Sequence, residues 1–95
     1  MNIFVDIDGT ICTINPHDYS LAEPIQVNID KINKLFEEGN TITYWTARGA
    51  GSGKDLKELT KDQITKWGCK FHELLCSKPP FDILIDDKAI NIDQL

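Results

Sequence analysis

Asp6 and Asp8 lie one residue apart where an apolar run, Asn2-Ile3-Phe4-Val5, gives way to Gly9-Thr10. On a strand, side chains at i and i+2 point the same way, and where the strand runs out the chain can bend and aim each carboxylate separately. One acid can then attack while the other handles protons. Two carboxylates followed by Gly-Thr form a compact site for a divalent cation and a phosphate. A second acidic pair, Asp86-Asp87, closes another apolar run, Ile83-Leu84-Ile85.

The elements that must position these groups alternate. Residues 2–7 predict a strand, and the polar, Pro-punctuated stretch 11–27 has no clear period. A helix is expected from about Asn28, with Ile29, Ile32, Leu35 and Phe36 on one face, stopped by Gly39-Asn40. Thr41-Ile42-Thr43-Tyr44-Trp45 predicts a second strand. A Gly-rich loop, 49–53, leads to a helix that reaches Trp67 and is closed by Gly68; Thr60 and Gln63 have capping-box spacing, so a restart or kink is expected there. A third strand is expected at about 70–75 and a fourth at 83–85, with a short helical turn at the end.

Strands separated by helices predict an α/β fold: a Rossmann-like three-layer α/β/α core with a small parallel sheet, right-handed crossovers and helices on both faces. Ligands of such sheets bind beyond the carboxyl ends of the strands. Asp6 and Asp8, Thr46, Lys78 and Asp86-Asp87 all fall at those ends.

Ninety-five residues make one domain, 1–95, with 41% hydrophobic and 26% charged residues, ordinary for a soluble protein. No apolar run approaches the roughly 20 residues of a membrane span, and no signal-peptide pattern is present, so a cytoplasmic location is expected. Cys12, Cys69 and Cys76 are scattered without metal-ligand spacing and read as packing thiols of a reducing compartment, Cys12 being close enough to the acids to be sensitive to alkylation. A net charge of −5 argues against a nucleic-acid-coating surface. A small phosphorylated ligand remains compatible, with Arg48, Lys54 and Lys78 as the cations that reverse the local field.

Four short stretches closely resemble the motifs of the haloacid-dehalogenase-like phosphohydrolases: DIDGT at 6–10, Thr46 in YWTARG, Lys78 in SKP, and the acidic pair in ILIDD. They run in that family's order from residue 3 to residue 87. The local wording is also similar to small phosphatase-like proteins of polysaccharide-biosynthesis loci. The resemblance implies a Mg²⁺-dependent phosphatase acting on a small phosphorylated metabolite such as a sugar phosphate. Asp6 would be the nucleophile that forms an aspartyl-phosphate, and Asp8 would protonate the leaving oxygen and then activate water. Asp6, the Asp8 backbone carbonyl and Asp86 would hold Mg²⁺, with Asp87 acting directly or through water. Thr46 and Lys78 would hold the phosphoryl oxygens, with Lys70 as the competing lysine. Gly9 would permit close backbone approach, Thr10 would brace the turn, and Arg48 and Lys54 would reach the substrate phosphate.

Gly49-Ala50-Gly51-Ser52-Gly53-Lys54 imitates a P-loop, but Arg48 stands where Walker A needs Gly and Asp55 where it needs Ser or Thr. Neither place where the family inserts a cap domain holds enough residues for one, so a capless core is expected. The exposed site then needs a large substrate or a neighbouring subunit, with Tyr19, Leu21 and Ile25 as contact surface in a homo-oligomer. The missing fifth strand leaves a sheet edge to be covered or paired. Transfer to an acceptor other than water and a catalytically weak binding module are the competing functions.

Overall fold

Thr41–Trp45 forms the central strand (β2) because all five residues are β-branched or aromatic and Gly39, at φ +97°, ends the preceding helix in a conformation other residues rarely adopt. The computed structural model describes residues 1–50 and 55–95. Its sheet is three-stranded and parallel, in the order β1-β2-β3, with β1 at Asn2–Val5 and β3 at Glu73–Leu75. Asn2 stands opposite Thr41, and Thr43 opposite Glu73. Two helices connect the strands, α1 at Gln26–Glu37 and α2 at Lys57–Lys66. The expected α/β class, parallel sheet and capless core are what is found.

Successive steps in one direction across the sheet, each right-handed, put both helices on the same face. The core agrees: Ile29 and Ile32 of α1 and Ile64 of α2 join one buried cluster with Val5, Ile42, Tyr44 and Leu74. Asn33 locks the helices together, its amide donating to the Gly68 carbonyl and its oxygen accepting from the Lys70 N–H. On the other face Phe4 is 56% exposed and meets Trp45 edge-on. Among the described residues the molecule therefore has two layers, and the helices expected on the second face are not there.

Three further expectations are corrected. Residues 83–85 form no strand; they are exposed and unpaired. The third strand starts at residue 73 rather than 70, because the His72 imidazole Nδ1 accepts the Ile42 N–H and Phe36 stacks on the ring. No kink occurs at Thr60: its hydroxyl donates to the Leu56 carbonyl inside one continuous helix. Helix α1 begins two residues before Asn28, whose side chain donates to the Thr10 carbonyl and so fastens the helix to the first turn.

Tyr44 sits at the centre of the core with its hydroxyl buried beside the Cys69 thiol and without an oxygen or nitrogen partner among the described residues. A thiol is a weak partner and offsets little of the hydroxyl's desolvation cost. Tyr44→Phe is expected to raise unfolding stability by about 1 kcal/mol, measured as a higher urea midpoint at unchanged slope; a lower midpoint would reveal a partner for the hydroxyl.

Candidate active site

The turn after β1 is closed by backbone bonds: the Thr10 and Ile11 N–H groups donate to the Ile7 carbonyl, and Gly9 N–H donates to the Cys12 carbonyl. Gly9 has φ +82°, and a Cβ there would stand 3.1 Å from Ile14 Cδ1. The positive φ is what favours glycine; the exposed Ile14 side chain can shift to admit a Cβ. Gly9 and Thr10 thus shape the turn, and neither lines the pocket beyond it. Residues 11–25, within the stretch that showed no clear period, fold as a flap, held by Thr13 N–H to the Glu23 carbonyl, Ile25 N–H to the Ile11 carbonyl, and a short 3₁₀ turn at Tyr19–Leu21.

The turn leaves Asp6 and Asp8 facing a pocket of about 410 Å³, lined also by Tyr19, Thr46, Ala47, Arg48, Lys78, Pro79, Pro80 and Phe81. It lies beyond the carboxyl ends of the strands, as the sheet topology demands. Lys78 arrives because its N–H donates to the Thr46 carbonyl, extending the β2–β3 ladder past the strands. Its ammonium lies 3.2 Å from Asp6 Oδ1 and 5.5 and 5.3 Å from the Trp45 and Phe81 rings. The rings favour the cation electrostatically and restrict where it can swing. Lys70 is instead on the surface, paired with Glu37, so Lys78 is the lysine of the pocket. Thr46 is buried, and its hydroxyl oxygen accepts the Arg48 N–H.

Arg48 behaves differently from a free phosphate ligand. Its side chain has no exposed surface, and a guanidinium has five N–H donors to place. Nε and Nη2 grip the two oxygens of Asp8 at 2.9 and 2.8 Å. Nη1 donates to Thr60 Oγ1 at 3.3 Å and to Gln63 Oε1 at 2.5 Å, and Nη2 also lies 3.7 Å from Cys12 Sγ. The Tyr19 ring covers the guanidinium at 4.8 Å. All five donors point at protein, so Arg48 holds Asp8 and offers nothing to a substrate in this conformation. Burial works against the charge on Arg48, but the hydrogen bonds to Asp8 and the charge of its carboxylate outweigh it and raise the guanidinium pKa. Thr60 and Gln63, which the sequence marks as a cap, are acceptors for this arginine; Gln63 also ties α2 to the flap by donating to the Tyr19 carbonyl.

The remaining sequence candidates do not converge here. Asp86 and Asp87 are exposed and bond only to Lys88 among the described residues: Asp86 Oδ1 accepts the Lys88 N–H, and Asp87 pairs with its ammonium. Lys54 lies outside the described residues, as does most of the Gly-rich loop. Among the described residues no three His, Cys, Asp or Glu side chains stand close enough to hold a metal ion. Among the described residues the set expected for Mg²⁺ is therefore not assembled, and Asp6 and Asp8 stand without a third acid. Phe81 lines the pocket, Trp45 lies beside the Lys78 ammonium and Gln63 accepts from Arg48; the sequence pattern gave none of the three a place at the site.

No protein-family model and no curated protein matches the chain. A crystal structure of a structural-genomics target from Vibrio cholerae does match, with a TM-score of 0.86 at 23% identity, over 98% of this chain and 85% of that one. At that identity the likeness is one of fold. No helix among the described residues is long and apolar enough to cross a membrane.

Two outcomes follow from the Arg48 cluster. Arg48→Ala strands Asp8, Thr60 and Gln63 and is expected to cost on the order of 3 kcal/mol, with Arg48→Lys recovering only part because it lacks the fork; urea unfolding measures both. Cys12, fully buried against Asp8, has its thiol pushed up from 9.0 to about 12, by burial first and the Asp8 charge second. The expected alkylation sensitivity is therefore reversed: Cys12 should resist iodoacetamide until the chain unfolds. A thiol raised in the fold contributes stability that is complete below its unfolded pKa and is lost as pH climbs toward the folded value. Stability should fall between about pH 9 and about pH 12, and Cys12→Ala should flatten that slope in pH-dependent urea midpoints.

Proposed function

We propose that this chain is a phosphomonoesterase that acts on a small phosphorylated metabolite of the sugar-phosphate class through an aspartyl-phosphate on Asp6. The observation that carries this is the pairing of the half-exposed Asp6 carboxylate with a ring-restrained Lys78 ammonium, 3.2 Å away, at a pocket that Asp8 and Thr46 also line. In the first step an Asp6 oxygen bonds to phosphorus, the ester P–O bond breaks, and the leaving oxygen takes a proton from Asp8. In the second, water gives a proton back to Asp8 and bonds to phosphorus, releasing phosphate and restoring the Asp6 carboxylate. Lys78 and the Thr46 hydroxyl carry the charge of the transferring phosphoryl oxygens. Arg48 orients Asp8 so that its carboxyl faces the leaving oxygen. A Mg²⁺ requirement remains part of the proposal, with Asp6 and Asp8 as the acids at the pocket among the described residues.

A second reading, a phosphate-binding module without turnover, is favoured by one observation: both oxygens of Asp8 already accept from Arg48. Release of inorganic phosphate across a panel of sugar phosphates, nucleotides and a chromogenic ester, with Mg²⁺ and with chelator, separates the two. Asp6→Asn is expected to lower turnover by roughly 10³-fold or more while ligand binding persists, and Lys78→Ala by about 10²–10³-fold. Turnover that survives Asp6→Asn removes the nucleophile assignment. Product formation on an added alcohol would instead mark a phosphotransferase, and binding without release in the unaltered chain would favour the module.

A further inference from the structure

Gln63 stands on α2 behind the pocket and is not among its lining residues. Its side-chain amide is bonded at both ends. Oε1 accepts from Arg48 Nη1 at 2.5 Å, and Nε2 donates to the Tyr19 carbonyl at 2.7 Å. A guanidinium only donates and a carbonyl only accepts, so a single orientation of the amide satisfies both partners. Reversing it would set donor against donor and acceptor against acceptor. Both partners belong to the pocket. Arg48 grips the two Asp8 oxygens through Nε and Nη2, and Tyr19 lines the pocket and lays its ring over the same guanidinium.

We propose that Gln63 is a positioning residue with two arms: through Arg48 it aims the Asp8 carboxyl, and through the Tyr19 carbonyl it holds the flap where Tyr19 lines the pocket. The first arm follows from the shape of the fork. A guanidinium is planar and rigid, so an acceptor that fixes Nη1 also fixes the direction in which Nε and Nη2 present their hydrogens to Asp8. Thr60 Oγ1 is a second acceptor for Nη1, at the longer distance of 3.3 Å. Cys12 Sγ, 3.7 Å from Nη2, is a weak acceptor. Gln63 is therefore the closest anchor on the side of the guanidinium away from Asp8.

The second arm is a tether and not a fold-forming bond. The Tyr19 carbonyl also accepts the Ala22 N–H, which closes the 3₁₀ turn by itself. Losing the Gln63 donor leaves that turn intact and frees it from α2. The helix in turn keeps its core contact through Ile64, which is fully buried. A change confined to the Gln63 side chain is therefore felt at Arg48 and at the flap without dismantling either element. The two arms act on different quantities. The aim of Asp8 matters when a proton moves to the leaving oxygen, which is a loss in kcat; a flap that contacts bound substrate throughout is a loss in KM.

The kinetic roles rest on the phosphatase reading; the restraint on Arg48 does not, and is measured without substrate. Gln63→Leu removes both arms, whereas Gln63→Glu keeps an acceptor for Arg48 and loses the donor to Tyr19. With far-ultraviolet circular dichroism unchanged, Gln63→Leu should lower kcat roughly 10-fold and raise KM about 3-fold. Gln63→Glu should return kcat to within about 3-fold of the unaltered chain while KM stays raised. In an Arg48→Lys background, which lacks the fork, Gln63→Leu should change kcat by less than about 2-fold, because both changes act through one partner. Nitrogen-15 exchange spectroscopy reads the restraint directly. Rotation about the Arg48 Nε–Cζ bond, which interchanges Nη1 and Nη2, should quicken roughly 10-fold in Gln63→Leu and slow again in Gln63→Glu. A kcat loss that Gln63→Glu does not restore, a full further loss in the Arg48→Lys background, or rotation indifferent to Gln63→Leu overturns the proposal. If the unaltered chain releases no phosphate, the phosphatase reading falls, and the Arg48 rotation alone then upholds or overturns the aiming of Asp8.

Discussion

A guanidinium without exposed surface must find a partner for every N–H it carries, and Arg48, at the end of β2, finds them on three other pieces of the chain. Asp8 comes from the turn after β1, Cys12 from the flap, and Thr60 and Gln63 from α2. Tyr19, also of the flap, covers the guanidinium with its ring. Helix α2 is short and its sequence is mostly polar; Ile64, Trp67 and the Asn33 bonds hold its far end, and this cluster holds the rest. A buried charge pair is a poor source of net stability but a strict geometric constraint, because any arrangement that separates the partners leaves a charge uncompensated. The pocket keeps its shape for that reason.

The two acids of the turn consequently live in different surroundings. Asp8 is gripped at both oxygens by an immobile fork, while Asp6, 40% exposed, meets one ammonium on a flexible stem. A fork fixes direction and a point charge fixes only distance. The division matches what a proton-handling group and an attacking group each need: the first must stay aimed, and the second must be free to move toward an electrophile. Aromatic faces at Trp45 and Phe81 keep the ammonium near without holding it rigidly.

Local signals made most of the scaffold legible. Five consecutive β-formers announced β2, the Ile29/Ile32/Leu35/Phe36 period announced α1, and the glycines that end both helices stood where the period stopped. Distance in space was what the sequence withheld. Arg48 looked like a spare cation two residues past Thr46, because nothing near it in the chain shows that Asp8, forty positions away, would claim it. Thr60 and Gln63 had the spacing of a cap and turned out to be acceptors. Ile83-Leu84-Ile85 has the composition of a strand, yet a strand exists only where an edge accepts it, and composition says nothing about which edge that is. The acids at 86–87 therefore lie exposed and outside the pocket that Asp6 and Asp8 line.

Every group at the pocket hangs on parallel ladders that join residues some forty and thirty positions apart, as in the pairing of Asn2 with Thr41 and Thr43 with Glu73. Large loops must close before any of these contacts repays its entropy. The lining of the pocket runs from Asp6 to Phe81, so a fragment that lacks either outer strand loses part of it. The pocket exists only while both ladders hold.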